Sequence, residues 1–382
     1  MKTFVFYTND DYVNNRVTGG TRRFIELVTG LMERGNQVHL FLPDHADFPS
    51  HPNLVRHSIK RKRRRLLPAG LVNFVYNYRQ LKRIAKMPNA RVVMVSVPYG
   101  IQGVLAGIRG FALIVWEDFV DYRRIRLKTR GMPPFLMGIF EEGWRLIEWL
   151  TVKRAGRIIV QCRHDQQVLM HRHPGMAEKL DHKTVIIHND VNPVWISNMG
   201  HLKNGKSSLV DGRYHIGFIG NMDDLRKGLH LLLASVARLL DEEKPLRLHV
   251  IGDGRLRKDY MKKYRAYEQI VFYGSIEYPM KALSTFDLLV VPSLSDSFPN
   301  TIMEALYLGV PVLGARRGGI PEMLYYDELL FEPDTRSLYR KLSALIDKRK
   351  NERMEHLRKL CHERQKAFDF DWIEVMQKGL SG

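Results

Sequence analysis

At 382 residues and 45% hydrophobic content, the chain is long and apolar enough for about two globular domains. Two cysteines exclude a disulfide framework, and the opening MKTFVFYTNDD ends its apolar run too soon for a signal peptide. A formal net charge of +19 calls for an anionic partner, which charge alone leaves as nucleic acid, an anionic membrane or a phosphorylated substrate.

Taken in order, Thr3–Thr8 reads as a strand and Asn9–Thr18 is polar. Gly19-Gly20 then leads into a helix from about Thr21 to Arg34, on the spacing of Ile25, Val28, Leu31 and Met32. The glycine pair fits either a close approach of ligand to backbone or a tight turn. Val38–Leu42 is the second strand. Residues 56–65, RHSIKRKRRR, hold seven basic side chains, Arg61, Lys62, Arg63, Arg64 and Arg65 among them. After them Leu71, Phe74, Val75, Tyr78, Leu81 and Ala85 share one helical face, with Arg79, Lys82, Arg83 and Lys86 elsewhere. The pair of features reads as a peripheral contact with an anionic membrane, where each Lys or Arg contributes about 1 kcal/mol. The alternative is a solvated loop beside an ordinary core-packing helix. No RNP or zinc-finger pattern accompanies the basic run, so no nucleic-acid partner is expected.

Residues 92–115 are the most apolar stretch, but Pro98, Gln102, Arg109 and several glycines break it into strand, loop and helix rather than a membrane span. Glu117 and Asp118 follow the strand Ala112–Val115, at the carboxyl edge of a sheet. A general base there is worth about 100- to 10,000-fold, with Asp118 the first choice; the alternative is a pair of loop acids capping the next segment. Within 123–155, Leu136, Ile139, Phe140, Ile147 and Leu150 share a face that touches a bilayer or covers the sheet. Strands follow at Ala155–Val160 and Thr184–His188, and the polar, weakly periodic run 196–213 reads as a linker. His215–Ile219 opens a second sheet. After it, Gly220-Asn221 and Lys227-Gly228 at the start of a helix make a diphosphate cradle of amides, helix N-terminus and lysine. Arg247–Ile251 runs into Gly252-Asp253-Gly254, and Val271–Gly274 is the next strand end. Residues 336–366 read as one charged helix and Phe368–Leu380 as a terminal one.

The most informative stretch is 287–324, DLLVVPSLSDSFPNTIMEALYLGVPVLGARRGGIPEML. It reads strand, loop, helix, strand, Gly-rich loop, helix, with Asn300 or Thr301 as N-cap and Glu304 in the first helical turn. Two carboxylates, Asp296 and Glu304, suit a polyol, because one carboxylate accepts from two neighbouring hydroxyls at once. With Asp296-Ser297-Phe298-Pro299, Glu304-Ala305, Gly309-Val310-Pro311-Val312 and Gly318-Gly319-Ile320-Pro321-Glu322, the stretch resembles retaining GT-B glycosyltransferases of family four.

That resemblance implies α/β architecture with two Rossmann-like parallel-sheet domains facing across a cleft. The expected acceptor-binding domain is 1–198, the nucleotide-sugar domain 199–365, and a helix in 366–382 crosses back to the first. It places Asp296 on the donor sugar and Glu304 on the ribose, with Ser297, Phe298, Pro299, Asn300 and Thr301 between them. Lys227 holds the phosphates, Gly274 ends a segment that meets the base, and Gly19 and Gly20 face the donor phosphates and acceptor. Asn221 stands where an arginine is usual, so Arg226 substitutes; Asp190 stands where glycine is usual, in a backbone expected to need positive φ. No DxD motif or metal cluster appears, so no metal and no cofactor beyond the nucleotide-sugar donor is expected. The implied activity is metal-independent, retaining hexosyl transfer from a UDP- or GDP-sugar to a lipid-linked or cell-surface glycan, on the cytoplasmic face of a membrane. The runner-up readings are a nucleotide-sugar epimerase or inverting transferase on the same fold, and a basic non-catalytic binding protein with a degenerate site.

Overall fold

The computed structural model describes all residues except 9–18, 45, 47, 61–68, 192–193, 198–210, 278, 347–349 and 382. It divides into two compact units, Met1–Val120 with Pro134–His188 and Asp371–Gly382, and Asp121–Pro133 with Asn189–Phe370.

In the first unit the strands are β1 (Thr3–Tyr7), β2 (Gln37–Pro43), β3 (Leu54–Ile59), β4 (Ala90–Val95), β5 (Ala112–Val115), β6 (Arg157–Val160) and β7 (Thr184–Ile186). They form one parallel sheet in the order β3-β2-β1-β4-β5-β6-β7. Continuous apolar runs make this possible: Phe4, Val5, Phe6 and Tyr7 are all fully buried, as a parallel strand covered on both faces requires. The helix Trp372–Ser381 packs in this unit, where Ile373 fills the space beside Gly30 and Arg34 grips Asp371 at 2.5 and 2.7 Å.

The second unit holds β8 (Tyr214–Ile219), β9 (Leu246–Ile251), β10 (Ile270–Gly274), β11 (Leu288–Val291), β12 (Val312–Ala315) and β13 (Leu330–Phe331). This sheet is also parallel, in the order β10-β9-β8-β11-β12-β13. A polar chain with two buried histidines at its centre crosses three of its strands. His215 bonds Asp211 and His249 at 2.9 Å each, and His249 reaches the Tyr273 hydroxyl at 2.8 Å. Burial, reinforced by His215, holds His249 down at about 4.

Several local expectations are corrected. Gly19 and Gly20 begin the helix Gly19–Glu33 rather than forming a turn before it. Residues 123–155 hold parts of two helices, Phe119–Thr129 and Pro134–Arg154, and the stretch 336–366 holds the helices Thr335–Ile346 and Lys350–Ala367, with 347–349 outside the described residues. On the helix Ala69–Ala85, Val75 and Tyr78 are exposed while Val72, Asn73, Asn77, Leu81 and Ile84 face inward. The reason is Asn77, whose amide spans the backbone N–H and carbonyl of Lys60 at 2.7 and 2.8 Å and so turns a polar residue into the core. Asp190 is buried and is not among the described residues with positive φ, so its departure from glycine carries no backbone strain.

Candidate functional site

In a doubly wound sheet, ligands collect beyond the carboxyl ends of the two strands where the order reverses. In the second unit those strands are β8 and β11. The segments leaving them are 220–228 and 292–300, which contain most of the residues expected to meet the donor.

Glycines bring these loops together. Gly228 sits at φ +66, and a Cβ there would stand 1.8 Å from the Pro292 carbonyl oxygen. Gly318, at φ +57, lies against the Asp296 backbone, where a Cβ would come within 2.1 Å of its carbonyl oxygen. A Cβ on Gly252 would meet the Gly220 carbonyl oxygen at 2.0 Å, so the Gly-Asp-Gly motif serves close packing of strand ends. Hydrogen bonds then fasten the loops. Asp224 caps the Leu225–Lys227 turn through the Arg226 N–H at 3.0 Å. Leu294 N–H donates to the Arg226 carbonyl at 2.7 Å, and Gly319 N–H to that of Asp296 at 3.0 Å.

The result is a charged cluster. Lys227 Nζ donates to Asp296, and the Arg226 guanidinium lies 3.8 Å from the same carboxylate. Burial alone would raise the Asp296 pKa, but Lys227 and Arg226, with a Ser293 hydrogen bond, hold it below the usual carboxylate range. Asp296 is therefore an anion at neutral pH, an acceptor for hydroxyls and no proton donor. Its side chain is 14% exposed and that of Lys227 is 23% exposed, so both remain reachable. Arg226 also stacks over Tyr122 at 5.2 Å and donates to the Ser295 carbonyl at 3.3 Å.

Other expected residues fall into place less directly. Glu304 is buried one turn inside the helix Asn300–Leu308, not in its first turn. Pro299 takes the N-cap position, and Asn300 instead accepts from the Asn189 amide at 3.0 Å. Ser297 and Pro299 are buried, Thr301 is half-buried, and Phe298 is a core residue packed edge-on against Phe368 at 5.5 Å. Asn221 is not joined to the cluster: it is exposed and bonds Asp223 at 3.1 Å. Gly274 ends β10 at φ +76, its carbonyl accepting from Gly252 N–H at 2.8 Å. Ser293, Tyr122 and Asn189 escaped sequence reasoning. Tyr122 and Asn189 lie about a hundred positions from their partners, and Ser293 reads only as the end of a strand.

In the first unit the order reverses between β1 and β4. Gly20 stands at this edge, and among the described residues no other segment lies within 4 Å of its missing Cβ. Ser96, just after β4, is held at φ +82, a conformation that favours glycine. Asp118 lies one strand farther along. It accepts from Arg172 at 2.6 and 2.9 Å and caps the next helix through Val120 N–H at 3.0 Å. Arg172 also bonds both oxygens of the buried Glu148 at 2.8 Å, and His173 reaches Glu148 at 2.9 Å. Glu117 is exposed beside it. Arg61–Arg65 lie outside the described residues. Among the described residues, no cluster of three His, Cys, Asp or Glu could hold a metal, and no helix is long and apolar enough to cross a membrane.

Residues 213–348 match the model for glycosyl transferases group 1. CapJ of Staphylococcus aureus is 31% identical over 145 residues, 36% of this chain and 37% of CapJ, so the match spans little more than a third of that relative. The sucrose-phosphate synthase of Thermosynechococcus elongatus superposes with a TM-score of 0.75 at 18% identity, covering 100% of this chain and 98% of that one. HepE of Anabaena, solved with UDP-glucose, gives 0.67 at 16% identity over 99% of this chain and 98% of its own. At such identities the likeness is one of fold. The chain therefore has the GT-B type of architecture, two parallel-sheet α/β domains, and its second sheet lies in a segment similar to glycosyl transferases group 1.

Proposed function

We propose that the protein is a retaining glycosyltransferase that moves a sugar from a UDP- or GDP-linked donor to a lipid-linked or cell-surface glycan. The observation that carries this reading is the convergence of Lys227, Arg226 and Asp296 at the switch point of the domain matching glycosyl transferases group 1. HepE, solved with UDP-glucose on the same fold, supports a nucleotide-sugar as donor.

In this reading Lys227 and Arg226 meet the diphosphate and offset the charge that grows on it as the glycosidic bond breaks, with no metal called for. Asp296, kept ionised by the same two cations, accepts hydroxyls of the donor sugar. Glu304 accepts from the ribose, and its burial strengthens that hydrogen bond. The leaving phosphate takes up the acceptor proton on the face where the sugar is delivered. Asp118 is assigned the capping role instead of the general-base role, because both its oxygens are already committed to Arg172. The lack of a side chain at Gly20, at the β1/β4 reversal, supports close approach of a bound group in the first unit, which we assign to the acceptor. The net charge of +19 and the basic run Arg61–Arg65 support a working position at the cytoplasmic face of an anionic membrane.

Calorimetric titration with UDP, GDP and ADP, beside Glu304→Ala, tests the donor site. One nucleotide should bind in the micromolar range and lose about 10- to 150-fold in the variant. No binding of any of the three would overturn the assignment of a UDP- or GDP-linked donor.

A further inference from the structure

The first unit carries an outward face that neither the sheet nor the donor site explains. The helices Ala69–Ala85 and Pro134–Arg154 both pack against the helix Val97–Leu105, so the three lie side by side on one face of the sheet. On the longest, Phe135 is 70% exposed, Ile139 68% and Leu146 56%. These positions repeat at helical spacing and form one stripe along the solvent side. The inward side of the same helix is taken by Glu148, Thr151 and Val152. Glu142 falls on the stripe, but Arg145 pairs with it at 3.1 Å. On the helix Ala69–Ala85, Val75 is 65% exposed and is followed on its stripe by Arg79 and Lys82, with Tyr76 and Tyr78 beside them at 41% each.

Three lysines lie over aromatic rings here: Lys60 over Tyr76 at 6.0 Å, Lys82 over Tyr78 at 5.4 Å and Lys153 over Trp149 at 4.4 Å. Rings with an apolar body and a polar tip, capped by lysines on long stems, suit the boundary between headgroups and acyl chains. Isolated exposed apolar residues need no explanation, but a stripe of large ones flanked by cations marks an interaction surface. Lys82 and Arg83 in the last turn of one helix, and Lys153 and Arg154 in that of the other, match the surface to an anionic one.

We propose that this face docks on an anionic lipid bilayer, with Phe135, Ile139 and Leu146 entering the interface and the lysines and arginines of both helices meeting the headgroups. The helix Pro134–Arg154 lies in the plane of the surface as an amphipathic element and does not span it. This deepens the membrane position proposed above by naming the inserting element, which is separate from Arg61–Arg65.

The test is co-sedimentation of the full chain with vesicles of phosphatidylcholine alone and of phosphatidylcholine with phosphatidylglycerol. The wild type should bind the anionic vesicles and only weakly the neutral ones. A triple variant, Phe135→Ser, Ile139→Ser and Leu146→Ser, should bind about 100-fold more weakly, since three partly buried apolar side chains are lost. Its melting temperature and nucleotide affinity should be unchanged, because the three side chains touch solvent in the free protein. Unchanged vesicle binding by the triple variant overturns the proposal. If neutralising Arg61–Arg65 abolishes binding in that case, the membrane position stands and only the inserting helix falls. Equal binding to both vesicle types, or a wild-type dimer that the triple variant dissolves, also overturns it. No vesicle binding by the wild type, with nucleotide affinity intact, removes the membrane and leaves the donor site.

Discussion

Two carboxylates sit beyond strand ends in this molecule, and each is held by cations. Asp118 is locked in the first unit by Arg172, which also grips Glu148, itself bonded by His173. Asp296 is held in the second unit by Lys227 and Arg226, in loops that glycines draw together. The Asp118 network lies one strand away from the β1/β4 reversal, and the guanidinium of Arg172 bonds both oxygens of each acid. The Asp296 cluster lies at the β8/β11 reversal, and its main partner is a lysine, a mobile point charge on a long stem. Acidic residues after a strand are therefore ambiguous until topology says which strands reverse and what the acids already hold.

The contrast breaks most sharply at Glu148. Replacing this 1%-exposed residue with Ala strips the Arg172 and His173 contacts from a buried network and should cost about 3–5 kcal/mol of stability. Denaturant titration reads this, and the folded fraction should keep its turnover. Unchanged stability with lost turnover would make the Asp118 network catalytic and erase the comparison. Lys227→Ala should act mainly on turnover, lowering transfer about 100- to 1,000-fold, about 2.7–4 kcal/mol, and should cost less stability than Glu148→Ala, because Arg226 and Ser293 still hold Asp296. Steady-state kinetics with the nucleotide-sugar identified by calorimetry would check it.

A smaller effect sharpens the comparison through the buried histidines of the second unit. His249 is neutral in the fold until about pH 4, whereas an unfolded histidine takes up a proton near 6.5. Its folded pKa is depressed, so stability is full above pH 6.5 and falls by about 3 kcal/mol as pH drops through that window. Denaturation curves from pH 7 to 4 should show this slope, and His249→Phe should flatten it. The smallest effect is expected at Ser96, where φ is +82: Ser96→Gly relieves the backbone and should raise stability by about 1 kcal/mol. A loss of acceptor turnover in that stabilised variant would mark Ser96 as part of the first unit's ligand edge.

The sequence by itself determined the architecture and the loops that meet at the β8/β11 reversal. Runs such as Phe4–Tyr7 and Leu288–Val291 are apolar without alternation, which only a strand buried on both faces tolerates. Lys227-Gly228, Asp296 and Gly318-Gly319 were legible because strand ends, turns and helix starts are written locally in glycine, proline and charge. The tertiary structure decided everything that depended on distant partners. Tyr122 under Arg226 and Asn189 on Asn300 join positions about a hundred residues apart, and no local spacing encodes that. It decided that Glu304 is buried a turn deeper than its motif implied, that Phe298 belongs to the core, and that Asp118 is already bound. It also decided which side of two amphipathic helices faces water. Periodicity gives a helix its faces, but a buried amide such as that of Asn77 determines which one turns inward.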